Sequence, residues 1–477
     1  MRMSSFRVER DPLGEFRVPV DAYYGVQTAR ARDNFAISGL TAPFSLIRAT
    51  ILVKRAAAEA NRDLGRLSPE IANGIIAAAD ELLGGKLLDQ FVVDVYQAGA
   101  GTSHNMNANE VLANRAAELL GHAKGVYDVV HPNDHVNMSQ STNDVFPTAT
   151  RLAIAMEHPA LIAACRQLAS TLADKAKAFA KVLKVGRTHL QDAVPITLGQ
   201  EFEGYAACIT SAADAADATV TSLYELNLGA TAVGTGLNAG DDYTAAAVNA
   251  LARLTGLPVR PASNRFRVTQ SMGDVVSYSG ALRRIAVELG KIASDLRLLS
   301  MGPRAGLGEI RLPAVQPGSS IMPGKVNPSV PEMVNQVCYQ VYGCDVTTAM
   351  AGEAGQLELN VMMPVMAWNS LHAQHILTTA MKALRERTVV GIEADLERSR
   401  ELLDRSTATA TALSPHIGYA ATADIAKAAV ATGRPVRDLA RERGLLSEEE
   451  LNSILSAEAM TQPGVKGQQR SNRGAKS

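Results

Sequence analysis

The chain has 477 residues, 47% hydrophobic and 20% charged, with 47 Lys+Arg against 48 Asp+Glu and a formal net charge of −1. So even a balance offers no basic stripe for nucleic acid or an anionic membrane surface, and no stretch approaches the roughly 18 uninterrupted apolar residues of a membrane span. Small-molecule or protein partners and a cytoplasmic setting are favoured: Met1–Glu9 is too polar for a signal peptide, and Cys165, Cys208, Cys338 and Cys344 lack zinc or disulfide spacing and read as buried thiols.

The first 45 residues are punctuated by Gly and Pro, as in Asp11-Pro12-Leu13-Gly14 and Tyr24-Gly25, and read as an arm with turns or short strands. Apolar residues at three- and four-residue spacing then predict helices over Ala49–Asp63, Pro69–Gly84 and Ala108–Leu120, a mainly helical first domain of residues 1–144. Pro159–Val182, Thr197–Glu225, Val268–Met301, Pro331–Gly352 and Gln356–Arg387 predict much longer helices in a domain of residues 145–395. Small side chains surround stretches such as Tyr205–Ala216, permitting contact on several faces. The expectation is a long-helix bundle at the centre of an oligomer. Thr197-Leu-Gly-Gln200 and Ser329-Val-Pro-Glu332 have capping-box spacing. Past Glu393, Pro415, Gly418, Gly433 and Pro435 divide small helices in a domain of residues 396–477, with a flexible tail from Gly464. The fold class is all-α, mainly helical.

Four polar loops interrupt these helices. Gln97-Ala-Gly-Ala-Gly-Thr102-Ser-His-Asn105-Met-Asn107-Ala-Asn109-Glu110, with its hydroxyl and amide groups, leads into a helix and reads either as Gly-rich capping or as a carboxylate cradle built from Thr or Ser hydroxyls and helix N–H groups. Asn133–Asp144, which includes Ser141, Thr142 and Asn143, is crowded with hydrogen-bonding side chains. A turn network is the simpler reading, because His131, Asp134 and His135 match no standard metal spacing and no metal is expected. Gly186-Arg-Thr188-His189 holds a histidine suited to proton handling, anion binding or structure. Gly318-Ser319-Ser320-Ile-Met-Pro-Gly-Lys325-Val-Asn327-Pro places a base candidate, a cation and an amide between glycines that permit a mobile lid.

That last segment resembles the signature loop of the aspartase/fumarase superfamily. The likeness extends through Glu9-Arg-Asp-Pro-Leu-Gly, Asp21-Ala-Tyr-Tyr-Gly, the other loops, Asn227-Leu-Gly-Ala-Thr and Ala354-Gly-Gln-Leu-Glu-Leu-Asn. Gly101-Thr-Ser, Met138-Ser-Gln-Ser-Thr-Asn-Asp144 and Met460-Thr-Gln-Pro-Gly464 are similar to the aspartase branch. The resemblance implies a three-domain subunit, a homotetramer with a long-helix core, and active sites shared between chains. It implies no cofactor and a small dicarboxylate substrate: reversible removal of ammonia from L-aspartate to give fumarate. By resemblance Ser319 is the base that takes the Cβ proton, and Thr102, Ser141, Thr142 and Ser320 cup the carboxylate where charge develops. Thr188, Lys325 and Asn327 hold the other carboxylate, and Asn143 and His189 lie near the leaving amine. Met363 and His104 depart from the family pattern, which keeps a fumarase, or a lyase of another N-substituted succinate, as the alternative.

Overall fold

A computed structural model describes residues 5–465; the tail expected beyond Gly464 lies almost wholly outside them. The arm forms an antiparallel hairpin of β1 (Phe6–Asp11) and β2 (Gly14–Pro19). Five helices follow: α1 (Val26–Asn34), α2 (Phe44–Asp63), α3 (Pro69–Leu83), α4 (Thr102–Leu119) and α5 (Thr142–Ala178). A second hairpin, β3 (Leu183–Thr188) and β4 (Gln191–Thr197), leads into α6 (Leu198–Val220). Then come α7 (Gly240–Thr255), α8 (Arg265–Gln270), α9 (Gly273–Leu299), α10 (Ser329–Glu353) and α11 (Met363–Arg387). Six short helices end the chain: α12 (Leu396–Arg405), α13 (Ala410–Ile417), α14 (Tyr419–Thr432), α15 (Val436–Glu442), α16 (Glu448–Ile454) and α17 (Ala457–Thr461). The remaining strands are two-residue pairings, so the described fold is mainly helical.

The chain separates into two compact units that interleave in sequence: residues up to 163, 212–286 and 337–379 form one, and 164–211, 287–336 and 380 onward the other. In the first unit, Val18, Ile51, Ile75, Leu112 and Val136 share a buried core. Polar cross-links join its long helices: Arg151 on α5 pairs with Asp274 on α9 at 2.6 Å, and Gln374 on α11 donates to the α5 carbonyl of Ile154 at 3.1 Å. In the second unit, Tyr205 on α6 donates to Asp295 on α9 at 2.8 Å, and Asn335 on α10 donates to the Gly290 carbonyl at 2.9 Å. A separate small core of that unit gathers Leu413, Ile425, Leu451 and Ile454.

Several boundaries differ from expectation for identifiable reasons. Helix α5 begins at Thr142, not Pro159, and runs through Pro147 and Pro159. Pro147 has no N–H for the Asn143 carbonyl four residues back; the Asn227 side-chain amide donates to that carbonyl instead, at 3.1 Å. Ser271 splits the stretch expected to be continuous from Val268, its hydroxyl accepting from the N–H of Gly273 at 3.2 Å. The start expected at Gln356 moves to Met363 because Asn360 Oδ1 accepts the Met362 N–H at 2.8 Å, while its Nδ2 donates to the end of α10 at Ala351. Pro415 lies inside α13 rather than between helices. The Thr197–Gln200 capping box forms, with reciprocal bonds of 3.1 and 3.0 Å. At the other expected box, Glu332 N–H donates to the Pro328 carbonyl at 3.1 Å. Cys208 is exposed, unlike the other three cysteines.

Candidate active site

In the first unit, the amino ends of α4 and α5 meet. Gly101 has φ +83°, and a Cβ there would lie 2.1 Å from the Phe146 ring, so only glycine admits this approach. The preceding Ala100 N–H donates to the Val361 carbonyl at 2.8 Å, which fixes the Gly-rich turn. Thr102 opens α4 and is exposed, its hydroxyl 3.3 Å from the Gly99 carbonyl. Gln97 accepts the His104 N–H at 2.8 Å and so caps the helix start. His104 itself is buried, 2.9 Å from Thr50 Oγ1 and edge-on to Phe146, and burial drives its pKa down to about 4.

The second loop is a turn network with a charged floor. Asp144 is fully buried; Oδ1 accepts the Ser141 N–H at 2.9 Å, while Oδ2 accepts those of Gly229 and Thr231 at 3.0 and 2.9 Å. This joins the Ser141-Thr142-Asn143 corner to the Asn227-Leu-Gly-Ala-Thr motif. Asn143 reinforces the join, its Nδ2 donating to the Ala232 carbonyl at 2.8 Å. Burial raises the Asp144 carboxyl to about 7 against the pull of its backbone donors and Lys54. The same burial lowers Lys54 to about 7, opposed by Asp144. Lys54 Nζ is held by Asn137 Oδ1 at 2.8 Å and Gln140 Oε1 at 2.9 Å. His131 caps its own corner, Nδ1 accepting from the N–H groups of Asn133 and Asp134 at 3.2 and 3.1 Å. Among the described residues, no group of three or more His, Cys, Asp or Glu side chains is placed to hold a metal ion.

The second unit holds the other expected residues. Thr188 ends β3, and the hairpin turns through His189 and Leu190 with φ +54° and +60°, left-handed backbone that costs non-glycine residues energy. Both side chains are exposed at the tip. Below it, Arg187 and Lys184 reach the fully buried Glu309 at 3.0 and 3.3 Å. Ser319, Ser320, Lys325 and Asn327 lie between Arg311 and α10. Asn327 Nδ2 donates to the Gly318 carbonyl at 2.8 Å, closing the neck of this loop. A Cβ on Gly318 would lie 2.0 Å from the Lys325 carbonyl, so the neck requires glycine. Within the loop, Ser319 Oγ accepts the N–H groups of Ile321 and Met322 at 3.3 and 3.1 Å. Two donors aimed at a hydroxyl oxygen favour negative charge on it.

The structure thus brings Thr142 and Asn143 onto one corner beside the α4 end that carries Thr102, and Ser319, Lys325 and Asn327 onto one closed loop. Neither unit contains the whole set. Sequence reasoning passed over Lys54 and gave Asn105, an amide of the first polar loop, no role of its own. Lys54 continues the buried stripe of Ile47, Ile51 and Ala58 on α2, and a lysine at a core position of an amphipathic helix is the signal that could have found it.

The class of the protein follows from its relatives: it is a carbon-nitrogen lyase with a mainly helical fold. The family model described as "Lyase" matches residues 14–343, and that of the fumarase C C-terminus matches residues 410–462. The chain belongs to this lyase family, the aspartase/fumarase superfamily. It is 50% identical to an aspartate ammonia-lyase of a Bacillus species over 97% of this chain and 98% of that protein. It is 49% identical to the aspartate ammonia-lyase of Escherichia coli K12, with the same coverage. Among solved structures, a fumarate lyase:delta crystallin of Brucella melitensis bound to cobalt superposes with TM-score 0.93 and 50% identity, covering 96% of this chain and all of that one. The class II fumarase of Schistosoma mansoni gives TM-score 0.91 at 38% identity, covering 95% of this chain and 98% of that one.

Proposed function

We propose that the protein is an aspartate ammonia-lyase that interconverts L-aspartate with fumarate and ammonia. The observation that carries this reading is the half-identity, over nearly the full length of both chains, to aspartate ammonia-lyases. The hard step is removal of the Cβ proton, because the adjacent carboxylate must accept a second negative charge. Ser319 Oγ takes the proton, and the N–H groups of Ile321 and Met322 offset the cost of its alkoxide. Thr102, Ser141, Thr142 and Ser320 supply donors to the enediolate, where removing one such group costs about 3–4 kcal/mol. Thr188, Lys325 and Asn327 hold the other carboxylate. The Cα–N bond then breaks, its electron pair leaving on nitrogen. An amine already protonated leaves as ammonia without a further proton, so His189 and the Oδ1 of Asn143 serve to hold it.

The active unit in this reading is a homotetramer whose sites combine loops from different chains, with the three-part division of each subunit at about residues 144 and 395 and a cytoplasmic setting. Tyr339, Val346 and Met350 support the assembly: they lie along one stripe of α10 and are 63%, 58% and 69% exposed, a face for a second copy to cover. Among the described residues, no helix is long and apolar enough to cross a membrane.

Fumarate release from L-aspartate and from L-malate by the same purified protein tests the function. Release from aspartate is the expected result, and malate turnover exceeding it would move the assignment to a fumarase. The environment of His104 favours the first outcome: it packs on Thr50, Phe91 and Phe146 as a core residue.

A further inference from the structure

Asn105 sits one turn into α4, buried at 2% exposure, and its side chain hydrogen-bonds Thr142, a position assigned to substrate. Its Nδ2 lies 3.0 Å from Thr142 Oγ1 and 3.2 Å from Asn137 Oδ1. The orientation of these amides follows from their neighbours. Asn137 is fixed at both ends: Oδ1 faces Lys54 Nζ at 2.8 Å, and Nδ2 faces the Gln140 backbone carbonyl, which can only accept, at 3.3 Å. The Asn105 atom that meets Asn137 Oδ1 is therefore the amide nitrogen, because two carbonyl oxygens cannot share a hydrogen bond. One proton of that nitrogen goes to Asn137 and the other to Thr142. An amide nitrogen has no acceptor lone pair to offer, so the Thr142 hydroxyl accepts from Asn105 and its own proton is turned away from it.

We propose that Lys54, Asn137 and Asn105 form a hydrogen-bond polarity relay that commits the Thr142 hydroxyl to donate to the substrate carboxylate. They are positioning residues: they touch Thr142 or each other, not the reacting atoms. The proposal rests on the aspartate ammonia-lyase reading, and adds to it how one donor of the carboxylate cup is oriented before substrate arrives. Preorganisation of this kind matters because a rotating hydroxyl offers a lone pair as readily as a proton, and a lone pair facing a developing dianion is repulsive. Two further observations support a polarised cluster. Burial holds Lys54 beside Asp144 with no bulk water to exchange for Asn137, and among the described residues the buried Asn105 Oδ1 has no hydrogen-bond partner. An amide kept in an orientation that leaves its own oxygen unpaired is held there by stronger demands at its nitrogen.

The test is a double-mutant cycle on the full chain assayed with L-aspartate: wild type, Asn105→Ala, Thr142→Val and the double variant, with Asn105→Ser carried in parallel because it keeps a polar group if the alanine variant does not fold. The expected result is that Asn105→Ala or Asn105→Ser lowers kcat by about tenfold or more, with KM changed by less than about twofold, as removal of an interaction made in the transition state requires. The double variant is expected to be no worse than Thr142→Val alone, since the relay acts only through that hydroxyl. A loss undiminished in the Thr142→Val background, a loss confined to KM, or Asn105 variants with wild-type kcat would overturn the relay while leaving the parent reading intact. Wild-type protein that turns over no L-aspartate would overturn the parent reading and the relay with it, and shows itself before any variant is compared.

Discussion

Ser319 is the residue on which the proposed chemistry depends, and its surroundings set a sharp expectation. Ser319→Ala removes the oxygen that Ile321 and Met322 address, so turnover is expected to fall to below about a tenth while circular dichroism and fumarate binding are unchanged. His104 carries a second expectation, of stability rather than rate. Its folded pKa of about 4 lies below the ordinary 6.5, so the unfolded chain takes up its proton first as pH falls. Stability from the neutral ring is complete above pH 6.5 and lost on the way down to 4, about 3 kcal/mol in all and about 2 of it by pH 5. Urea midpoints at pH 7 and pH 5 should therefore separate more for wild type than for His104→Gln; equal separations would place the acid sensitivity elsewhere. That Ser319, Lys325 and Asn327 share one loop was legible in the sequence, because neighbouring positions of a closed loop stay together in the fold. The partners of Lys54 and Asn105 were not, because they are 83 and 37 residues away; helical periodicity alone assigns Lys54 to a core, and Asn105 read only as one amide of the first polar loop.

Long helices were legible as elements, but their ends were not. The reason is visible at Pro147, Ser271 and Asn360, where side-chain bonds from distant residues or local caps override the local breaker rule. The β3–β4 hairpin was read only as a loop, because its two-residue turn is His189-Leu190 rather than a glycine or asparagine turn. That conflict carries its own expectation. Replacing His189-Leu190 by Asn-Gly should relieve left-handed strain and raise the melting temperature, while lowering turnover through loss of the imidazole. A variant that gains stability and keeps full activity would remove His189 from the site. At the junction of α4 and α5, Gly101→Ala combines positive φ with a clash into Phe146. It should cost at least about 2 kcal/mol, and Phe146→Ala should recover part of that in the double variant; a fully additive loss would contradict the packing explanation.

For the whole molecule, the expected residues fall into two units of the chain, Thr102 and Ser141–Asn143 in one and Thr188, His189 and the Ser319 loop in the other. Polar loops so far apart in sequence suit the proposed site shared between subunits. Refolding a mixture of Ser319→Ala and Thr102→Val proteins should give more activity than either has alone, since in the proposed tetramer some hybrid sites would draw the intact residue of each unit from different chains. The central claim is tested most directly by following fumarate from L-aspartate, beside L-malate, with wild type and Ser319→Ala. Release from aspartate by wild type, little from malate, and almost none from the variant is the expected result. A variant that retains wild-type turnover, or a wild type that acts on malate in preference to aspartate, would contradict it.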